Sequence, residues 1–177
     1  GMNNETIYTI DVLTLDEPLY IVGCGVRVKH GTPECFPSIN ALIDNFNKNC
    51  MASKIPNKSQ PYRRFGICVD HVIYDDIIEF TYITGVQVNT PLSESQRPAT
   101  TILHEIPAGT YARIQVTAPN EDIAMSTSYM KLAQWIEEST EWEQAPGNEC
   151  EVYPKEDTDA IMELWRPIQN KKTPEKQ

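Results

Sequence analysis

Two glutamates near the end of the chain, Glu151 and Glu163, are the residues whose types and spacing most suggest chemistry. They lie in two short apolar-rich runs, about Glu149–Tyr153 and Ile161–Ile168, that read as a β-hairpin. Aligning the apolar residues sets Val152 opposite Met162 and Cys150 opposite Leu164. That register predicts Glu151 opposite Glu163, Tyr153 opposite Ile161 and Glu149 opposite Trp165. Side chains alternate faces along a strand, so all six are expected on one face. Opposed carboxylates repel by roughly 0.2–1 kcal/mol on an exposed sheet, and partial burial raises a pKa. A ligand cation would relieve the repulsion, and Tyr153 and Trp165 could stack on it. The other chemistry open to the opposed carboxylates is proton transfer, since their repulsion can raise one pKa enough for that work.

A second hairpin extends the same face. Pairing Phe65, Ile67 and Val69 with Tyr82, Phe80 and Ile78 makes an apolar side. Arg64, Gly66, Cys68, Glu79, Thr81 and Ile83 then share the other side, so Glu79 joins the expected site. On the run from Ile102, Ala112, Ile114 and Val116 are expected to point inward, and Tyr111, Arg113 and Gln115 outward. Arg113 offers a plainer account, an ordinary ion pair with Glu151 or Glu163 worth about 0–1 kcal/mol. Trp135 and Trp142 are expected to serve in packing.

The elements that would position these residues occur twice in the same order. Pro18–Val26 is an apolar, β-branched run and predicts a buried strand. Ile39, Leu42, Ile43, Phe46 and Cys50 repeat at helical spacing, with Pro37 near the start, where its missing N–H costs little. Strands follow at about Tyr62–Asp70 and Ile77–Val88. After a polar linker, Thr90–Thr100, a strand from Ile102 to Val116 is interrupted by Pro107-Ala108-Gly109, which predicts a bulge or bend. Asn120 is a candidate N-cap, with Glu121 and Asp122 in the first turn, and Met125, Tyr129, Leu132 and Ile136 make a helical stripe. The predicted fold is α+β. Duplicated β-α-β-β modules, about residues 17–88 and 102–168, form one antiparallel sheet with two helices on one face and the other face open, where its residues decide the function. One domain over residues 3–170 and a disordered tail over 171–177 complete the expectation.

Composition limits the function. With 40% hydrophobic and 23% charged residues, the 177-residue chain has a globular composition. No apolar run approaches the roughly 20 residues of a membrane span, and no signal peptide is visible. Five cysteines, an odd number without a CxxC pair, fit reduced thiols in a cytoplasmic setting. Cys68 and His71 have no second pair at ligand spacing, so neither a metal nor a cofactor is predicted. A net charge of −10 without a basic cluster argues against direct nucleic-acid binding and favours cations. No nucleophile motif or Gly-rich phosphate loop occurs.

Taken together, several segments resemble the GyrI-like, or AraC-type effector-binding, family. These are Phe80-Thr-Tyr-Ile-Thr-Gly-Val86, Ile106-Pro-Ala-Gly-Thr-Tyr-Ala112, Leu132-Ala-Gln-Trp-Ile136, Cys150-Glu-Val-Tyr-Pro154 and Glu163-Leu-Trp-Arg-Pro-Ile168. The resemblance covers about residues 15–169. It implies paired modules about a pseudo-two-fold axis, and a cleft that takes lipophilic cations on the sheet face away from the helices. It assigns the acidic role to Glu151, with Tyr153 beside it. Glu163 and Trp165 form a second acidic and aromatic pair, and Tyr111 stands nearby. The family is often fused behind a DNA-binding helix-turn-helix, which this chain lacks, and segments 48–60 and 90–100 are longer than the family pattern. The resemblance therefore implies a stand-alone binding protein, a sensor or sequestering protein for a cationic amphiphile. It also carries two alternatives: a hydrolase of strained electrophiles using Glu151 as general base and Tyr153 as acid, and a protein-binding inhibitor of DNA gyrase.

Overall fold

In the computed structural model, which describes residues 5–49, 51–154 and 158–172, nine strands and three α-helices follow one another. They are β1 (Ile7–Leu15), β2 (Leu19–Lys29), α1 (Cys35–Lys48), α2 (Met51–Lys54), β3 (Arg63–Tyr74) and β4 (Ile77–Val88). A 3₁₀ turn (Glu94–Gln96) then leads to β5 (Ile102–Ile106), β6 (Gly109–Thr117), α3 (Glu121–Glu138), β7 (Trp142–Gln144), β8 (Cys150–Pro154) and β9 (Met162–Asn170). Local chemistry sets several boundaries. The Asn120 side chain accepts the Ile123 N–H at 2.9 Å and so caps α3, and Asp75 and Asp76 take positive φ at the β3–β4 turn. Cys50 and residues 173–177 lie outside the described residues. Lys171, expected to open a disordered tail, is held instead: its N–H donates to the Glu141 carbonyl at 2.9 Å.

The sheet is antiparallel, in the order β1-β6-β9-β8-β3-β4-β2-β5, with β7 added to β9. This order is its own reverse when β1, β2, β3 and β4 are exchanged with β5, β6, β8 and β9. The doubled modules are therefore present, with β8 and β3 on the pseudo-two-fold axis. α1 packs on β2 and β4, and α3 packs on β6 and β9. One row of cross-strand neighbours, Ile10-Ile114-Leu164-Glu151-Gly66-Thr84-Cys24, runs along the helix-bearing face.

Chain connectivity forces this sheet to curl. β1 and β2 are six positions apart in the order, about 29 Å if the sheet were flat. Yet only Asp16, Glu17 and Pro18 join them, a reach of at most about 14 Å. β5 and β6 are also six positions apart and are joined only by Pro107 and Ala108. The Pro107-Ala108-Gly109 interruption is thus a crossing between opposite ends of the sheet, not a bulge or bend within one strand.

The curl decides what the second face can hold. Ile21, Phe65, Ile67, Ile83, Ile106, Tyr111, Cys150, Val152 and Trp165 are buried together there, with Leu13, Leu15 and Leu19 packed against them. Phe65 meets Trp165 edge-on at 5.8 Å between ring centroids. The face away from the helices is therefore a filled apolar interior, and the cleft expected on it is replaced by core. Under the helices, Ala112, Ile114, Val116, Met162 and Leu164 pack with Ala124, Leu132 and Ile136 of α3, and Trp135 and Trp142 join them in packing.

Candidate functional site

Between the two long helices, β8 and β3 form the floor, and Glu151 stands at its centre. The observed register pairs Glu151 with Leu164 and Val152 with Glu163, one residue away from the expected alignment. A one-residue slip moves every side chain to the other face. Glu151 and Glu163 are therefore on opposite faces of the sheet and do not form an opposed carboxylate pair. Glu151 shares the helix face with Tyr153, and Glu163 shares the interior face with Trp165.

Glu151 is 6% exposed and is bound by three phenols. The Tyr129 hydroxyl, from α3, donates to Oε2 at 2.7 Å. The Tyr153 hydroxyl donates to Oε1 at 2.8 Å, and the Tyr82 hydroxyl, from β4, donates to the same oxygen at 3.3 Å. Tyr82 gets there by crossing Gly66, which sits directly across from Glu151. A Cβ at position 66 would lie 2.1 Å from the Tyr82 hydroxyl oxygen and 3.0 Å from Glu151 Oε1. Glycine is required here for space, since its φ is ordinary. Arg64, beside Gly66 on β3, pairs with Tyr153 in register and lays its guanidinium carbon 4.1 Å from the centre of the Tyr153 ring.

These contacts set the electrostatics. Burial pushes the Glu151 carboxyl above its ordinary value, against the opposing pull of the Tyr129 and Tyr153 hydrogen bonds, the Arg64 charge and the Tyr82 hydrogen bond. Burial, and next the Glu151 charge, push the phenols of Tyr82, Tyr129 and Tyr153 upward as well. They therefore remain hydrogen-bond donors at any ordinary pH. Burial likewise raises the Cys68 thiol on the neighbouring stretch of β3. The assembly is a desolvated acceptor held by neutral donors, with an arginine at its margin.

The remaining expected residues go elsewhere. Glu163 is 3% exposed on the interior face, where it accepts from Trp165 Nε1 at 3.0 Å and Gln115 Nε2 at 3.3 Å. Arg113 lies 4.0 Å from it but chiefly grips Asp11, with Nε and Nη2 contacts of 2.9 and 2.6 Å. Trp165 is core, and Tyr111 is core with its hydroxyl donated to the Pro107 carbonyl at 2.6 Å. Glu79 belongs to the β3–β4 hairpin, paired with Arg27 at 2.9 Å and accepting from Tyr74 at 3.1 Å. It borders a separate hollow of about 380 Å³ beside the start of α1, lined also by Lys29, Glu34 and Ser38. Glu149, expected opposite Trp165, gives that place to Cys150 and pairs with Arg166 at 2.7 Å.

Of the six expected ligand contacts, the structure thus brings together Glu151 and Tyr153 and adds Tyr82, Tyr129 and Arg64. The expected alignment of the β3–β4 hairpin also gives way: Phe65, Ile67 and Val69 face Gly85, Ile83 and Thr81, while Gly66 and Cys68 face Thr84 and Tyr82. Gly66→Ala follows as a direct test of the Tyr82 crossing. The added methyl must expel the Tyr82 hydroxyl from Glu151, at an expected cost of about 1–3 kcal/mol in urea denaturation. An unchanged midpoint would mean that Tyr82 is not held there.

Comparison with known proteins bears on this geometry. The family of integron-associated effector-binding proteins matches residues 14–168. An integron cassette protein from the mobile metagenome of Vibrio cholerae is 14% identical, with a TM-score of 0.65 over 93% of this chain and 99% of that one. SAV2435, solved bound to tetraphenylphosphonium, is 15% identical, with a TM-score of 0.64 over 92% and 94% of the two chains. The EcmrR C-terminal domain is 17% identical, with a TM-score of 0.59 over 93% and 98%. No curated protein sequence matches the chain.

Proposed function

The chain belongs to the integron-associated effector-binding family, and from that premise we propose that it binds a small lipophilic cation between α1 and α3, with Glu151 as the counter-charge. The observation that carries this reading is the buried Glu151 carboxylate at the centre of the sheet, with the hydroxyls of Tyr82, Tyr129 and Tyr153 converging on it. Burying a carboxylate costs several kcal/mol, and such a group is retained where a partner charge offsets the cost. The phenol rings supply π faces on which an organic cation can rest. The structural likeness to SAV2435, whose solved complex holds tetraphenylphosphonium, supports the same ligand class. The phenols are shifted away from easy proton loss, which favours a binding site over one that transfers protons. In this reading the chain is a sensor or sequestering protein that acts without contacting DNA, consistent with its net charge of −10.

The test uses probes of one shape and different charge. Tetraphenylphosphonium is expected to bind, and its isosteric anion tetraphenylborate is not. Glu151→Gln keeps the side-chain shape and removes the charge. By calorimetry it should weaken tetraphenylphosphonium by about 30-fold or more, since removing one partner of a buried charge pair costs about 2–5 kcal/mol. Equal affinity of wild type and variant for the cation would overturn the assignment.

A further inference from the structure

We propose that Arg64 is a resident cation of this site, occupying the Tyr153 ring face that an incoming cation needs, and so determines which charges the protein accepts. The inference rests on the binding mode proposed above and goes beyond it by naming the residue that opposes binding.

Three observations carry it. The Arg64 guanidinium carbon is 4.1 Å from the Tyr153 ring centre, the distance of close stacking. The same ring's hydroxyl donates to Glu151, so cation, ring and carboxylate form one relay. Beyond the ring, Arg64 is held by a long contact to Thr84 Oγ1, at 3.3 Å, and by the Tyr82 hydroxyl, both neutral partners, and among the described residues it makes no ion pair within 4 Å. It is also half-buried, whereas Glu151 beneath is buried. A guanidinium held by a ring face, neutral hydroxyls and a nearby charge, with no ion pair of its own, is replaceable by a ligand that offers a cation and an aromatic surface. A flexible arginine at the margin of an otherwise closed cluster can swing toward solvent and keep its charge hydrated.

The consequences follow from charge alone. With Arg64 seated, Glu151 is partly compensated and the site has no strong demand for a cation. A ligand must displace the guanidinium or tolerate it. Weakly bound monocations are therefore excluded, and cations with enough aromatic surface to replace the stacking are accepted.

Arg64→Met keeps the stem length and its apolar contacts but removes the charge. Tetraphenylphosphonium affinity is expected to rise about tenfold, the worth of a desolvated cation–π contact surrendered by the protein. The neutral probe triphenylphosphine oxide should change less than twofold. Arg64→Lys, which keeps the charge on a compact head, should leave tetraphenylphosphonium within about threefold of wild type. Circular dichroism on each variant checks that the fold is retained. Unchanged or weakened cation binding by Arg64→Met, with wild type binding tetraphenylphosphonium and Glu151→Gln losing it, would overturn the role of Arg64 while leaving the binding mode intact. Failure of wild type and Arg64→Met alike to bind would overturn both.

Discussion

Replacing Trp165 with alanine is expected to destabilise the protein by about 3–5 kcal/mol, enough to leave a substantial unfolded fraction in a domain of ordinary stability. The indole is 2% exposed, inside the curl of the sheet, edge-on to Phe65 and 6.4 Å from the Tyr111 ring centre. Nothing of comparable size can collapse into its place, because Ile21, Ile67, Cys150 and Val152 around it are fixed on strands. Its Nε1–H also donates to Glu163, so truncation removes one of the donors on a buried carboxylate. Trp165→Phe separates the two contributions: it keeps most of the volume, and its residual cost of about 1–3 kcal/mol reports the lost hydrogen bond. Urea denaturation followed by far-UV circular dichroism measures both. A Trp165→Ala protein as stable as wild type but unable to bind a cation would return Trp165 to the role of ligand platform.

The contrast between Trp165 and Glu151 shows why the site was only half legible. The strand positions were visible because β-branched and aromatic runs are bounded by turn residues, as where β4 starts at Ile77 after Asp75-Asp76, though β3 runs to Tyr74, past its expected end at Asp70. The α3 start was visible because Asn120 must cap it. The faces were not visible. Cys150, Glu151, Val152 and Tyr153 are all buried, as are Met162, Glu163, Leu164 and Trp165, so exposure does not alternate along either strand although each glutamate sits between apolar residues. A sheet covered by helices on one side and by its own curl on the other erases the period-two signal that fixes register. Matching apolar residues across the hairpin then selected Val152 with Met162, one residue from the true partner Glu163.

The curl itself depends on β1 joining β6 and β2 joining β5, pairings distant in sequence that no local pattern records. β1 left little trace because it is an edge strand with mostly exposed side chains. The candidate role of Glu151 came from the family resemblance of the Glu-x-Tyr segment, and its company with Tyr153 survives the slip because residues two apart share a face whatever the register. Tyr129 carried a further signal that went unused. A tyrosine in a buried helical stripe needs a partner for its hydroxyl, and here the partner is Glu151.

The buried carboxyl also predicts how stability and binding depend on pH. Glu151 ionises near 4.5 in an unfolded chain and higher in the folded protein, mainly because of burial. Between those two values the folded state binds more protons than the unfolded state, so stability falls as pH rises through the window. Below 4.5 the group is protonated in both states and the penalty vanishes. Above the folded value the penalty is fully present. Glu151→Gln cannot ionise and keeps a carbonyl to accept from the phenols. It is therefore expected to be more stable than wild type at pH 8, with the advantage shrinking by at most about 1.4 kcal/mol per pH unit as pH falls toward 4.5. A bound cation reverses the balance by favouring the ionised carboxylate. Tetraphenylphosphonium binding should accordingly release a proton and weaken by at most about tenfold per pH unit below the folded value. Urea midpoints of the two proteins across pH 4.5–8, with binding heats in two buffers of different ionisation enthalpy, measure both effects. Parallel stability curves with no proton release would mean that Glu151 is ionised throughout, its burial fully offset by the three phenols and Arg64.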